Sequence, residues 1–155
     1  MPITARVVRK DFIKLPDKIK GPRQVKVGFP AGKASSTNID KAIWNEFGTR
    51  GGRSGGGWGG PIPERPFMRN SARNNANKYR QMMAGAVTKI VIGKMNLREV
   101  MTDLGLVAVA DIQREIRSLM SPPNSPVTIA RKGANNPLID TGQMRMAVTF
   151  KIENK

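Results

Sequence analysis

The sequence predicts an α+β fold, with a small antiparallel sheet packed on one long helix and shorter helices, loops and arms around them. Three observations predict it. Residues 24–29 (QVKVGF) alternate apolar and other side chains, as a half-buried strand does. The last ten or so residues carry Met144, Met146, Val148, Phe150 and Ile152 at every second position, a partner for that strand. Between them, Leu97, Val100, Met101, Leu104, Val107, Ala108, Ile112, Ile116 and Leu119 keep three- and four-residue steps, which one face of a helix requires. At 155 residues the chain is sized for a single domain.

Taken in order, residues 3–9 are β-prone and short, and residues 11–20 place Phe12, Leu15 and Ile19 at helical spacing across an interrupting Pro16. Gly21-Pro22 breaks the chain before the QVKVGF strand, which Pro30-Ala31-Gly32 ends. Asn38 is read as an N-cap, with Ile39, Ala42, Ile43 and Phe47 on one helical face and Gly48 as the stop. Residues 51–60 hold seven glycines, so the stretch 48–66 reads as a flexible loop that orders against a partner with Trp58 as the anchor. Pro61, Pro63 and Pro66 stiffen its exit, and Pro66 suits the start of a helix from about Phe67 to about Val91, polar at first and apolar later. The long helix runs from Asn96 to Met120, with Gly105 at a point of close packing. Ser121-Pro122-Pro123-Asn124-Ser125-Pro126 leaves that helix, and 121–142 reads as an extended arm ending in compact turn chemistry at Pro137 to Gly142. The terminal strand is then expected over 143–152, paired with QVKVGF.

Composition narrows the chemistry. With 27 Lys and Arg against 11 Asp and Glu, the net charge is +16, which attracts nucleic acid, acidic protein surfaces or anionic lipid. The chain has no Cys, hence neither a disulfide frame nor a thiolate metal site, and no His, the commonest general base and zinc ligand. No apolar run is long enough to predict a membrane span, and the N-terminus has no apolar signal core. Asp140-Thr141-Gly142 matches the tripeptide of aspartic proteases, which place paired carboxylates with it. Here it stands once, about a dozen residues from the C-terminus, and reads as a turn. The glycine loop lacks the Gly-Lys-Ser/Thr of a phosphate cradle. Arg50, Arg53, Arg65, Arg69 and Arg73 cluster around that loop and suit salt-sensitive, sequence-blind phosphate contact. The residues thus point to assembly rather than catalysis, with no cofactor and no metal.

Three stretches occur together and in order: Ile43-Trp44-Asn45-Glu46-Phe47-Gly48-Thr49, Ile62-Pro63-Glu64-Arg65-Pro66-Phe67, and Ser121-Pro122-Pro123 through to Pro137-Leu138-Ile139-Asp140-Thr141-Gly142. In these segments and their spacing, across roughly residues 24–152, the chain resembles the tailed-bacteriophage virion morphogenesis or tail-completion family, the neck proteins that join head to tail. It departs from that pattern in its glycine-rich 51–60 segment and its high positive charge. The resemblance implies an α+β fold, no enzyme, and a ring in the virion neck assembled in the host bacterial cytoplasm. A hexamer is favoured and a dodecamer is the alternative. The implied partners are other copies of the chain, neighbouring head-completion or adaptor proteins, tail-terminator or tail-tube proteins, and genomic DNA in the channel. On this reading Trp44, Phe47, Trp58, Arg65, Phe67, Leu138 and Ile139 are the subunit or partner contacts. Arg50, Arg53, Arg69, Arg73, Arg131 and Lys132 meet DNA or an acidic surface. The alternatives are a tail terminator or other tail or minor capsid protein, or a stand-alone basic nucleic-acid-binding protein.

Overall fold

The structure is a computed structural model, and it describes residues 20–51 and 61–154. The elements follow in the order β1 (Gln24–Gly28), α1 (Ser36–Phe47), α2 (Phe67–Val91), α3 (Leu97–Ser118), α4 (Pro126–Lys132), α5 (Gln143–Met146) and β2 (Thr149–Glu153). The expected strand at 3–9, all but the last residue of the helix expected at 11–20, and residues 52–60 of the glycine-rich stretch, with Arg53 and Trp58, lie outside the described residues.

The two strands pair antiparallel with Val27 opposite Phe150 and Val25 opposite Ile152, and both lie against α3. Gly105 is where the sheet comes closest to that helix. A Cβ at this position would stand 2.5 Å from Cδ2 of Phe150, so only glycine admits the ring. The close approach expected at Gly105 is therefore with a strand rather than with another helix.

α3 opens on a capping box. Asn96 accepts from the Glu99 amide through its side chain, and Glu99 accepts from the Asn96 amide in return. α2 and α3 pack as an antiparallel pair, as the Lys78–Asp111 bond and the Ala86, Ile90 and Val100 cluster near their connection require. The main core gathers Ala42, Phe67, Ile112, Ile116, Leu119, Leu138, Met144 and Val148, with Phe29 meeting the Phe67 ring edge to face at 6.3 Å.

Three boundaries differ from expectation. α1 is capped by Ser35, whose Oγ accepts from the Asn38 amide, so Asn38 sits inside the first turn. The arm expected over 121–142 contains α4, capped by Ser125, opened by Pro126 and ended by Gly133 in the left-handed region at φ +68°. The terminal strand is shorter than expected. Gly142, at φ +78°, starts the turn of α5, which buries Met144 and turns Met146 outward. Met144 and Val148 are four residues apart as well as on the two-residue repeat, and helical spacing wins there.

Candidate partner-binding site

The residues on either side of 52–60 fasten to each other in a clasp. The Arg65 amide donates to the Asn45 carbonyl at 2.7 Å and the Thr49 amide to the Ile62 carbonyl at 2.9 Å. The Ile62 amide returns to Thr49 Oγ1 at 3.0 Å. Gly48, at φ +71°, makes this pairing close. A side chain there would press within 3.0 Å of the Ile62 carbonyl oxygen and 3.1 Å of the Glu64 amide nitrogen.

Glu46 ties α1 to α2. Pro66 precedes α2 and offers no side-chain cap. Glu46, 4 % exposed, supplies that cap from another helix: Oε2 accepts from the Met68 amide at 2.9 Å and Oε1 from the Arg69 amide at 3.1 Å. A carboxylate at a helix N-terminus also opposes the positive end of the helix dipole. The Arg69 side chain folds back over the same group, with Nε on Glu46 Oε1 and Nη2 on the Glu46 carbonyl, and its guanidinium lies 5.2 Å from the centre of the Phe47 ring. It also pairs with Glu64. Hydrogen bonds to Glu46, then Glu64, hold the Arg69 pKa above its ordinary value.

Arg65 extends the clasp to the third stretch. It is 4 % exposed, and it donates through Nε to the Pro122 carbonyl at 2.8 Å, through Nη2 to the Pro123 carbonyl at 2.9 Å and through Nη1 to Asn45 Oδ1 at 3.3 Å. Burial lowers its pKa. Among the described residues no carboxylate pairs with it, so neutral oxygens satisfy this buried cation. Leu138, from the end of the same stretch, enters the core cluster that holds Phe67.

The residues expected to touch partners therefore divide. Phe67 is fully buried and Leu138 nearly so, which leaves them no side chain to offer a neighbour. Arg65 is spent on its own chain. These three are corrected from partner contacts to parts of the clasp and core, because an apolar or cationic residue beside a helix start is drawn inward where acceptors and core meet it. Trp44 and Ile139 are half-buried. Phe47 is 65 % exposed, and Ile43 one helical turn before it and Met146 on the adjoining α5 are exposed as well. That is the apolar surface beside the clasp.

The cations divide too. Arg50, Arg73 and Arg131 are exposed. Arg69 is neutralised by Glu46 and Glu64. Lys132 turns inward, donating to the Asn136 carbonyl at 2.8 Å, and its pKa is lowered, first by burial. Arg69 and Lys132, expected to meet DNA or an acidic surface, are thus each engaged within the chain.

A second buried polar centre escaped the sequence reading. Asp111, with its side chain 1 % exposed, accepts from Lys78 Nζ at 2.6 and 2.7 Å, from the Tyr79 hydroxyl at 3.0 Å and from Arg114 Nη1 at 2.9 Å. Burial, then the Asp111 hydrogen bond, pushes the Tyr79 pKa up to about 12. The available signal was an Asp between Ala108 and Ile112 on the apolar face of α3. Among the described residues no group of three or more acidic, His or Cys side chains is disposed to hold a metal ion, and no helix is long and apolar enough to cross a membrane. No family model, curated protein or solved structure matches the chain.

Proposed function

We propose that this protein is a structural, non-enzymatic component of the head-to-tail connector of a tailed bacteriophage, assembled as a ring in the virion neck. One observation carries the reading. The three stretches in which the chain resembles the neck family are the ones that the clasp fastens to each other. Glu46 and Gly48 come from the first, Arg65 and Phe67 from the second, and Pro122, Pro123 and Leu138 from the third. The clasp does no chemistry on a substrate. It fixes the residues on either side of 52–60 beside exposed Phe47, Ile43 and Met146, the arrangement a module needs when it presents an apolar patch to a neighbour. A closed ring needs one patch to meet a different patch on the next copy, and an exposed apolar patch supplies one half of such a contact.

The deciding experiment counts this chain in purified, nuclease-treated virions by quantitative mass spectrometry against the portal protein. About six or twelve copies per particle fit a cyclic connector. Copies in the hundreds transfer the chain to the tail tube or shell, and absence from the particle overturns the neck reading.

A further inference from the structure

α2 carries Arg69, Arg73, Lys78, Arg80 and Lys89 and no Asp or Glu along its 25 residues. Two of these cations are consumed internally, Arg69 by Glu46 and Glu64 and Lys78 by Asp111. Arg73 and Arg80 are not. Both are exposed; among the described residues Arg73 has neither a hydrogen bond nor an ion pair, and Arg80 holds only the Asn77 side chain at 2.9 Å. They stand seven residues apart, two helical turns or about 10.5 Å, on one outward stripe with Asn77 between them and exposed Asn74 and Gln81 alongside.

The neighbouring part of α3 adds to the field. Its exposed cations are Arg114 and Arg117. Its carboxylates are Asp111, buried and already held by Lys78 and Arg114, and Glu115, half-buried. A cationic and amide-rich surface, with donors and no competing free carboxylate on the helix itself, matches a row of phosphates.

We propose that the outer stripe of α2, Arg73, Asn77 and Arg80 with Asn74 and Gln81, is a phosphate-contact surface for double-stranded DNA. Two features select the duplex. Residues 70–81 expose no large apolar side chain, as an anchored protein interface needs. They also expose no stacking platform for single-stranded bases, because the lone aromatic there, Tyr79, is half-buried with its hydroxyl on Asp111. The contact is blind to sequence. It does not rest on the neck reading, since copy number tests that reading and DNA affinity tests this one.

The test is fluorescence anisotropy of a short labelled duplex with the full chain, between about 50 and 200 mM salt. Each phosphate contact contributes about 0.9 to the slope of log K against log salt, so Arg73→Gln/Arg80→Gln is expected to flatten that slope by about 1.8. Lys94→Gln/Arg98→Gln removes the same charge from the far end of the α2–α3 pair and is expected to leave the slope in place. Circular dichroism confirms that both variants are folded. Equal effects from the two variants make the attraction one of net charge only and overturn the assignment. An unchanged slope for the Arg73 and Arg80 variant, or tighter binding of a single strand or of poly-glutamate than of the duplex, overturns it too.

Discussion

Glu46 offers the sharpest test of the clasp. In Glu46→Ala the Met68 and Arg69 amides lose the buried carboxylate that accepts from them at the start of α2. An N-cap lost from a protein helix costs about 1–2 kcal/mol, and a buried donor without a partner about 1–3 kcal/mol. The two amides together set the loss at about 2–3 kcal/mol. The ion pair with Arg69, whose side chain is 40 % exposed, adds nothing to that figure because solvent screens it. Glu46→Gln keeps one carbonyl oxygen but turns an NH2 toward the second amide, and is expected to lose about 1–2 kcal/mol. Glu64→Ala is the control. It removes the other carboxylate touching Arg69, but that side chain is 53 % exposed, so its loss stays within about 0.5 kcal/mol. Urea unfolding followed by circular dichroism gives all three values. At this chain length the Glu46→Ala loss corresponds to a fall in Tm of about 4–12 °C. If Glu46→Ala costs no more than Glu64→Ala, Glu46 is not the cap of α2 and the clasp argument fails.

Arg65→Ala strands the Pro122 and Pro123 carbonyls and Asn45 Oδ1, and is expected to cost about 3 kcal/mol in urea unfolding. Arg65→Lys recovers little of it, since one ammonium cannot span acceptors that a planar fork reaches together. Gly105→Ala forces the Phe150 ring aside and is expected to cost about 1–3 kcal/mol, part of it recovered by adding Phe150→Leu; no loss in thermal unfolding would mean that the sheet does not lie on α3 as described. Tyr79 is the chain's single tyrosine, so its phenolate absorbance can be titrated cleanly. Its pKa is raised to about 12 in the folded chain, against about 10 unfolded. The folded state therefore holds the proton more tightly, and this stabilisation is present below about pH 10 and disappears as pH rises towards 12. Native protein should show no phenolate near pH 10.5 while urea-unfolded protein does, and Asp111→Asn should bring the native midpoint down. Glu153 shifts the other way, held below the ordinary carboxylate range by Lys26, then Lys151. Its contribution is present above that range and fades as pH falls through the lowered value, so Glu153→Gln should flatten the acid limb of stability against pH.

The α+β architecture was legible because its signals are periodic. The three- and four-residue steps of α3 and the alternation of β1 follow directly from backbone geometry, and both elements stand where those patterns put them. α4 was marked too, by Ser125-Pro126 at its start and Gly133 after its end, but three prolines within residues 121–126 made the segment read as an arm. Met144 to Val148 carries two periods at once, and only Gly142 with its positive φ separates a turn from a strand. The clasp was not legible as a set of bonds. A buried Glu or Arg gives no local signal, because its partners lie at a sequence distance of 20 or more: Glu46 reaches 22 and 23 residues ahead, and Arg65 reaches 57 and 58.

That separation also explains why the motif residues divided as they did. Three short stretches spaced across the chain invite a reading as exposed contacts, since each looks unoccupied when taken alone. Folded together, they satisfy one another. Gly48 admits the Ile62 and Glu64 backbone, Glu46 caps α2, and Arg65 holds the Pro122-Pro123 turn, so the residues with the most specific chemistry are consumed in fixing geometry. What remains outward is less specific: Phe47 with Ile43 and Met146 at one end of α2, and an acid-free basic stripe along its flank. A protein whose partners are large repeated surfaces, another subunit or a run of phosphates, needs that division. On the proposed reading the precise groups hold the frame, and the broad apolar and cationic surfaces are left to meet a partner. Variants of Glu46 and Arg65 should therefore act through stability, and variants of Phe47, Arg73 and Arg80 should change association while leaving the unfolding midpoint in place.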